Sequence, residues 1–440
     1  MDLFIKTHLL RSFLSRGPAT ARELTTALDT SQPSLSRLMS QLGTGVQRIG
    51  AARTTRYALK RDIRGLGAEF PLYQVSEGGQ PHFLGTLVAV EPRGTVLLFN
   101  DSERPAEYFV EFPFWLEDAR PSGFLGRLIA KRLPTSGYPE NVVQWTNTDT
   151  LHYWASHGAD LIGNTIVGST AFRLWNERET RGETRAAITF ERYVAEVLSH
   201  GAAGSSAGGE QPKFLATVDM APAIVKFSPP LSSEIGRRRA ELLVCEHLAL
   251  KTLSNRGIQA TESSITFGEQ RVFLELRRFD RTGEAGRRAV ISLRALDNEF
   301  TGVVGTWRDI AKALLRRRRI TPEIYEFVMR LYYFGLLIGN SDMHAGNISF
   351  FCDNRDAAGR PTSVAPVYDM LPMNCAPANE SVLPLRFSFP VLDPQDKEHI
   401  LASASIAKDF WQAVSRDEWI GAEWHGYSAK WLQRIEGVLK

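Results

Sequence analysis

Two carboxylates, an amide and an ammonium occur along this chain in an order suited to moving a phosphoryl group. The stretch LYYFGLLIGNSDMHAGNISFF places Asp342, His344 and Asn347 just after an apolar helical segment, and Asn347 leads into a short apolar strand. After a hairpin-length interval, PTSVAPVYDMLP brings a second strand to Tyr368 and Asp369. In phosphoryl transfer one carboxylate orients the attacking hydroxyl and accepts its proton. A hard amide oxygen and another carboxylate hold Mg²⁺ on the phosphates of ATP. The interval from Asp342 to Asn347 equals that in the catalytic-loop pattern of eukaryotic kinases. A single His344 amid Asp and Asn reads as a hydrogen-bonding group rather than a metal ligand.

These groups need elements to bring them together, and the upstream sequence supplies them in a consistent order. SHGAAGSSAGGEQPKFLATV is a small-residue segment followed by a strand. Gly201, Gly204, Gly208 and Gly209 let backbone amides approach an anion, and Ser205 and Ser206 add hydroxyls. No Gly-Lys-Ser/Thr opens a helix there, which excludes a Walker A loop. APAIVKFSPP then puts Lys226 in a strand, and RRRAELLVCEHLALKTL is a helix carrying Glu241, the expected partner of that lysine. RVFLELRRFDR is a strand running into a polar turn, suited to a hinge between two lobes. Each piece alone also suits a linker, a solvated strand edge or a surface helix. Their order is what points to a kinase-like arrangement.

The N-terminal part has a different character. Residues 1–64 hold eleven basic and four acidic side chains, near +7, while the whole chain is only +3. A basic head on a slightly acidic body indicates a nucleic-acid module. Leu3, Ile5, Leu9, Leu10, Phe13 and Leu14 form one helical face, ended by Gly17-Pro18. Thr20 and Glu23 form a capping box for a second helix, and Ser31 is placed to cap a third, with Leu35, Leu38 and Leu42 inward. The outward face of that third helix carries Gln32, Ser34, Ser36, Arg37 and Ser40, which suit base edges and phosphates. VQRIGAARTTRYALKR reads as two strands around a basic tip, with Arg53 and Arg56, like the wing of a winged helix that binds double-stranded DNA. A packing or dimerisation module fits the same helices.

From 65 to 150 the chain is strand-rich, with FLGTLVAVEP and GTVLLFND between turn residues, and no catalytic constellation is visible. Phe112, Phe114, Trp115, Phe124 and Leu125 crowd together and read as core. Cys245, Cys352 and Cys375 have neither metal spacing nor an even count, which fits a reducing cytoplasm. No apolar run reaches the roughly 20 residues of a membrane helix, and MDLFIKTHLLRSFLSRG is too broken by charge for a secretory signal. The expected architecture is α+β and multidomain: a winged helix-turn-helix over 1–64, a β-rich subdomain over 65–150, a kinase N-lobe over 151–285 and a helical C-lobe over 286–440.

SSAGGEQPKF, IVKF, LRRFDR, NSDMHAGNISFF and VYDM together resemble the signatures of HipA-type kinases, the toxins of HipA–HipB systems. The resemblance runs from about residue 65 to the C-terminus, and the fused winged helix resembles the single-chain YjjJ-like branch. It implies Asp342 as catalytic base, Asn347 and Asp369 as Mg²⁺ ligands, and Lys226 on the ATP phosphates. It also implies Arg278, Phe279 and Asp280 at the adenine and ribose edge, and autophosphorylation of Ser205 or Ser206, which switches the kinase off. By resemblance the substrate is a protein, such as an aminoacyl-tRNA synthetase, and a HipB-like antitoxin is a partner. A transcriptional regulator with a kinase-like sensor and a small-molecule kinase remain alternatives. The intact set Asp342, Asn347, Asp369 and Lys226 weighs against the sensor.

Overall fold

The computed structural model describes residues 3–50, 55–133, 137–177, 187–199, 211–352, 360–378 and 381–440. The chain divides into two units, Met1–Arg120 with Val143–Glu179 and Pro121–Val142 with Thr180–Lys440. Among the described residues no helix is long and apolar enough to cross a membrane.

The first unit begins with α1 (Leu3–Leu14), β1 (Ala19–Thr20), α2 (Ala21–Ala27), α3 (Gln32–Leu42), β2 (Val46–Ile49) and β3 (Arg56–Leu59). The strands form a small antiparallel sheet in the order β1-β3-β2. Leu10, Leu14, Leu24, Leu35, Leu38 and Leu59 make its core. The expected apolar face of α1 is only partly used: Ile5 and Leu9 stay exposed beside Phe4. The capping box on α2 forms, with Glu23 Oε2 accepting from Thr20 N at 2.7 Å and Thr20 Oγ1 accepting from Glu23 N at 3.2 Å. Ser31 occupies the N-cap of α3 but its hydroxyl meets Ser34 Oγ at 3.1 Å instead of the helix amides.

The chain continues through β4 (Glu69–Val75), β5 (Pro81–Val90), β6 (Gly94–Phe99) and β7 (Glu107–Phe109). It then leaves for α4 (Gly123–Arg132), part of the second unit, and returns in α5 (Asn147–His157), β8 (Thr165–Val167) and α6 (Ser169–Asn176). The sheet runs β7-β6-β5-β4-β8, antiparallel throughout. A division at residue 150 is therefore not observed, because β8 pairs with β4 and holds 143–179 in the β-rich unit. Nor does 64 separate two bodies: Ile49 and Ala58 pack on Val88, Val90 and Val96. Phe112 and Trp154 share the core of this unit, rings 4.6 Å apart, whereas Phe124 joins the core of the other.

The second unit adds α7 (Ala187–Ser199), β9 (Lys213–Val218), β10 (Ala221–Phe227), α8 (Glu234–Asn255), β11 (Ser263–Phe267) and β12 (Val272–Arg277). Its antiparallel sheet has the order β11-β12-β10-β9, with Phe190, Phe214, Val225, Phe227 and Phe273 packed on one face. Short strands β13 (Arg281–Thr282), β14 (Gly286–Arg287) and β15 (Val290–Ser292) lead into α9 (Leu293–Phe300), α10 (Trp307–Arg316) and α11 (Pro322–Leu337). Strands β16 (Ser349–Cys352) and β17 (Pro361–Val364) complete a β15-β16-β17 sheet, and α12 (Lys397–Val414) and α13 (Ala422–Leu439) close the chain. Trp411 and Trp431, stacked 5.2 Å apart, anchor α12 to α13.

Candidate active site

Helix α11 sets the first carboxylate. Thr321 caps it, Pro322 occupies its first turn, and its apolar residues are buried against α10 and α12. Gly339 ends it at φ +73°, where a Cβ would meet the Asn374 side chain at 2.8 Å. The next residue, Asn340, is buried and ties two loop segments of the site together. Its Oδ1 accepts from Asp342 N at 3.0 Å, and its Nδ2 donates to Asp369 O at 3.2 Å. Asp342 itself is exposed at the mouth of a cavity of about 630 Å³.

The loop after Asp342 is closed on itself. Asn347 Nδ2 donates to Asp342 O at 2.9 Å, which leaves Oδ1 of that amide for a ligand. His344 Nδ1 accepts from Gly346 N at 3.1 Å, and Trp307 Nε1 donates to His344 O at 2.9 Å. Tyr368 donates to Gly346 O at 2.8 Å, fixing the segment that carries Asp369. Asp369 sits at φ +53°, an uncommon backbone for a non-glycine residue and one found at functional positions.

Lys226 on β10 is 5% exposed. Its ammonium donates to both carboxylate oxygens of Glu246 at 2.7 Å and to Asp369 Oδ1. Burial works against its charge, but Asp369 and Glu246 outweigh that and hold Lys226 above its ordinary range. Burial likewise opposes ionisation of Asp369, yet Lys226 and Lys213 pull its carboxyl below the usual carboxylate range. Glu246, completely buried, is pushed up by burial, with Lys226 in opposition.

The partner of Lys226 is thus Glu246, and the expectation of Glu241 is corrected. The two glutamates stand five residues apart, roughly 140° around a helix of 3.6 residues per turn, so they cannot serve the same lysine. Glu241 turns to α13, accepting from Trp424 Nε1 at 2.8 Å and Gly421 N at 3.0 Å. The signal for Glu246 was present: a carboxylate inside the apolar run LLVCEHLAL needs a cation.

The cavity brings together Lys226, Glu246, Asp342, His344, Asn347 and Asp369. It is also lined by Lys213, Arg239 and Arg294, and by Ser122–Leu125 at the start of α4, none of which the sequence had singled out. Arg278, Phe279 and Asp280 are not among its lining residues. Asp280 is buried and accepts from Arg278 at 3.0 and 2.9 Å and from Arg281 at 2.7 Å. Phe279 stacks on Tyr368, rings 5.6 Å apart, and so braces the approach to Asp369. Ser205, Ser206, Gly208, Gly209 and Arg53 lie outside the described residues. On the first unit Gln32, Ser36, Arg37 and Arg56 are exposed and Ser34 is half-buried.

Residues 66–176 match the YjjJ-like toxin middle domain, and residues 205–420 match the HipA-like C-terminal domain. The chain is 31% identical over 443 residues to Toxin YjjJ of Escherichia coli (strain K12), covering 98% of this chain and 97% of that protein. The chain belongs to the YjjJ-like branch of the HipA-type toxin family. The first match coincides with the five-stranded sheet and its helices, and the HipA-like match spans β9 through α12 with every described cavity residue from Gln211 onward. More distant structural likenesses are to a chain of the Shewanella oneidensis MR-1 HipA, HipB and operator DNA complex and to the Helicobacter pylori proinflammatory kinase CtkA. The first has a TM-score of 0.49 and 16% identity, over 84% of this chain and 97% of that one. The second has a TM-score of 0.37 and 12% identity, over 52% and 92%.

Proposed function

We propose that this YjjJ-like chain is an ATP-dependent serine/threonine protein kinase of HipA type with a fused DNA-binding winged helix. One observation carries the kinase reading: Asp342, Asn347, Asp369 and the Lys226–Glu246 pair, from separate segments, face one cavity of about 630 Å³. In this reading Asp342 takes the proton of the acceptor hydroxyl, its backbone held by Asn340 and Asn347. Asn347 Oδ1 and Asp369 are hard oxygen donors of the kind Mg²⁺ takes beside nucleotide phosphates, so the residues fit the ion. Mg²⁺ and ATP together supply the activated phosphoryl group. Lys226 stays protonated between its two carboxylates and acts as a fixed positive charge toward the phosphates. Lys213, Arg239, Arg294 and His344 line the same cavity and favour an anion there.

Gly208 and Gly209 are assigned to the phosphates, and Ser205, with Ser206 as the second choice, to autophosphorylation. Phe279 serves the site at one remove, through Tyr368, and Arg278 and Asp280 pair with each other beside it. The acceptor is a protein, by resemblance an aminoacyl-tRNA synthetase, and a HipB-like antitoxin is a candidate partner. Double-stranded DNA is assigned to Gln32, Ser34, Ser36, Arg37, Arg53 and Arg56. Support for that comes from the order helix, strand, two helices and two strands, with the polar face of α3 exposed.

Purified protein incubated with radiolabelled ATP and Mg²⁺ tests the kinase reading. Label on the chain or on a cellular protein is expected, falling at least about a hundred-fold in Asp342→Gln and leaving the chain in Ser205→Ala. Absence of label in the wild type would overturn it. Undiminished label in Asp342→Gln would show that the base is another residue.

A further inference from the structure

The cap and first turns of α9 read Ser292-Leu293-Arg294-Ala295-Leu296-Asp297, and within that stretch Arg294 alone is exposed. An exposed arginine is ordinarily a solvated surface group. This one lines the cavity that holds Asp342, Asn347, Asp369 and Lys226.

Its backbone is locked to the loop that follows Asp342. Strand β15 pairs with β16 up to Ser292 and Ser349, and the pairing runs on into α9. Leu293 N donates to Ile348 O at 3.0 Å, and Arg294 N donates to Ala345 O at 2.9 Å. Ser292 Oγ caps the helix by accepting from Ala295 N at 3.1 Å. Gly346 then leaves room for the guanidinium. A Cβ at that position would stand 3.5 Å from Arg294 Cζ and 3.1 Å from the His344 ring. The guanidinium therefore lies against the backbone that joins Asp342 to Asn347.

The other lysines and arginines of the cavity come from elsewhere. Among the described residues, Lys213 and Lys226 are carried by β9 and β10, and Arg239 by α8. Lys226 is already committed to Glu246 and Asp369. Arg294 is the one carried by an element bonded to the Asp342–Asn347 loop. A base marks where the acceptor oxygen sits. A cation beside it meets the phosphoryl group in transit rather than the phosphates left on the nucleotide. A guanidinium fork matches two phosphoryl oxygens and stays charged at any working pH.

We propose that Arg294 is a further catalytic residue, a fixed arginine that stabilises the γ-phosphoryl group of ATP as it passes to the acceptor hydroxyl. This rests on the kinase reading and adds to it the group that meets the transition-state charge. As the acceptor oxygen bonds to the γ-phosphorus, its proton goes to Asp342. The bond from that phosphorus to the β–γ bridging oxygen breaks, and its electron pair leaves with ADP. Arg294 donates to the equatorial oxygens between those two partners.

The test uses the full chain with Mg²⁺ and radiolabelled ATP, following label on the chain, on protein of a cell extract and in released phosphate. Arg294→Ala is expected to lower the transfer rate at saturating ATP about a hundred-fold, with the half-saturating ATP concentration and the thermal midpoint near wild type. Arg294→Lys keeps the charge without the fork and is expected about ten-fold below wild type. Guanidinium chloride, far below denaturing concentration, should partly restore Arg294→Ala, which a merely structural arginine would not show. Calorimetry gives a readout free of turnover. ADP–Mg²⁺ with aluminium fluoride, a mimic of the phosphoryl group in transit, should bind Arg294→Ala about a hundred-fold more weakly than wild type, and ADP–Mg²⁺ alone equally well. A transfer rate in Arg294→Ala within about three-fold of wild type overturns the role while the kinase reading stands. So does equal weakening of ADP with and without aluminium fluoride, the mark of a structural or ground-state residue. Absence of transfer to any acceptor in wild type overturns both.

Discussion

At the scale of the residue, the site is organised by pairings that spacing alone does not reveal. Glu246 and Glu241 both belong to α8, yet only Glu246 reaches Lys226. Glu246→Gln is expected to lower ATP-dependent labelling by at least about ten-fold, since Lys226 loses the partner that holds it in place. It should also cost about 2 kcal/mol in urea unfolding, less than the about 3–5 kcal/mol of a fully stranded buried charge, because Asp369 still pairs with Lys226. Glu241→Gln should leave nucleotide titration unchanged while costing about 1–2 kcal/mol through its bonds to Trp424 and Gly421. The cysteines give a second check. Burial pushes the Cys375 thiol up to about 12, and Cys245, buried as well, lies well above its ordinary value. Iodoacetamide at pH 8 should therefore modify the half-buried Cys352 first, with mass spectrometry locating the adduct.

At the scale of the element, charged clusters lock the helices that carry the site. Arg308 on α10 bonds Asp396 and Asp393, each at 2.6 Å, and Tyr333 on α11 donates to Asp396 at 2.6 Å. Burial raises the Asp396 carboxyl, but Tyr333 and Arg308 more than offset it, leaving its pKa below the ordinary value. A carboxyl depressed in the fold adds stability that is present in full above its unfolded pKa of about 4 and is lost as pH falls through the folded value. Asp396→Asn should thus cost about 1 kcal/mol at neutral pH and flatten the acid limb of the stability profile below about pH 4. Elements with local signals were legible in sequence. Thr20 and Glu23 form the capping box that their spacing predicts, because a cap involves only neighbours three residues apart. Ser31 and α4 were less so: the first finds another hydroxyl, and the second packs far from its neighbours in sequence.

At the scale of the whole molecule, the two activities proposed for this chain are each open to their own measurement. Duplex DNA binding is expected to weaken steeply with salt, and Arg37→Ala or Arg56→Ala should each lower the log–log salt slope by about 1. The division into units follows long-range packing, which is why the boundaries expected at 64 and 150 are not where the chain divides. By itself the sequence determined the family and the basic head and singled out Asp342, Asn347, Asp369 and Lys226, which line one cavity, since motif spacing and hydrophobic period are properties of neighbouring residues. Only the tertiary structure decided that Glu246 clamps Lys226, that Asn340 joins the two carboxylate segments, and that α4 lines the cavity. It also decided that Arg294 lies against the Asp342–Asn347 loop. Those outcomes depend on helix phase and on contacts between residues distant in sequence, and a buried charge finds its partner only when the chain has folded around it.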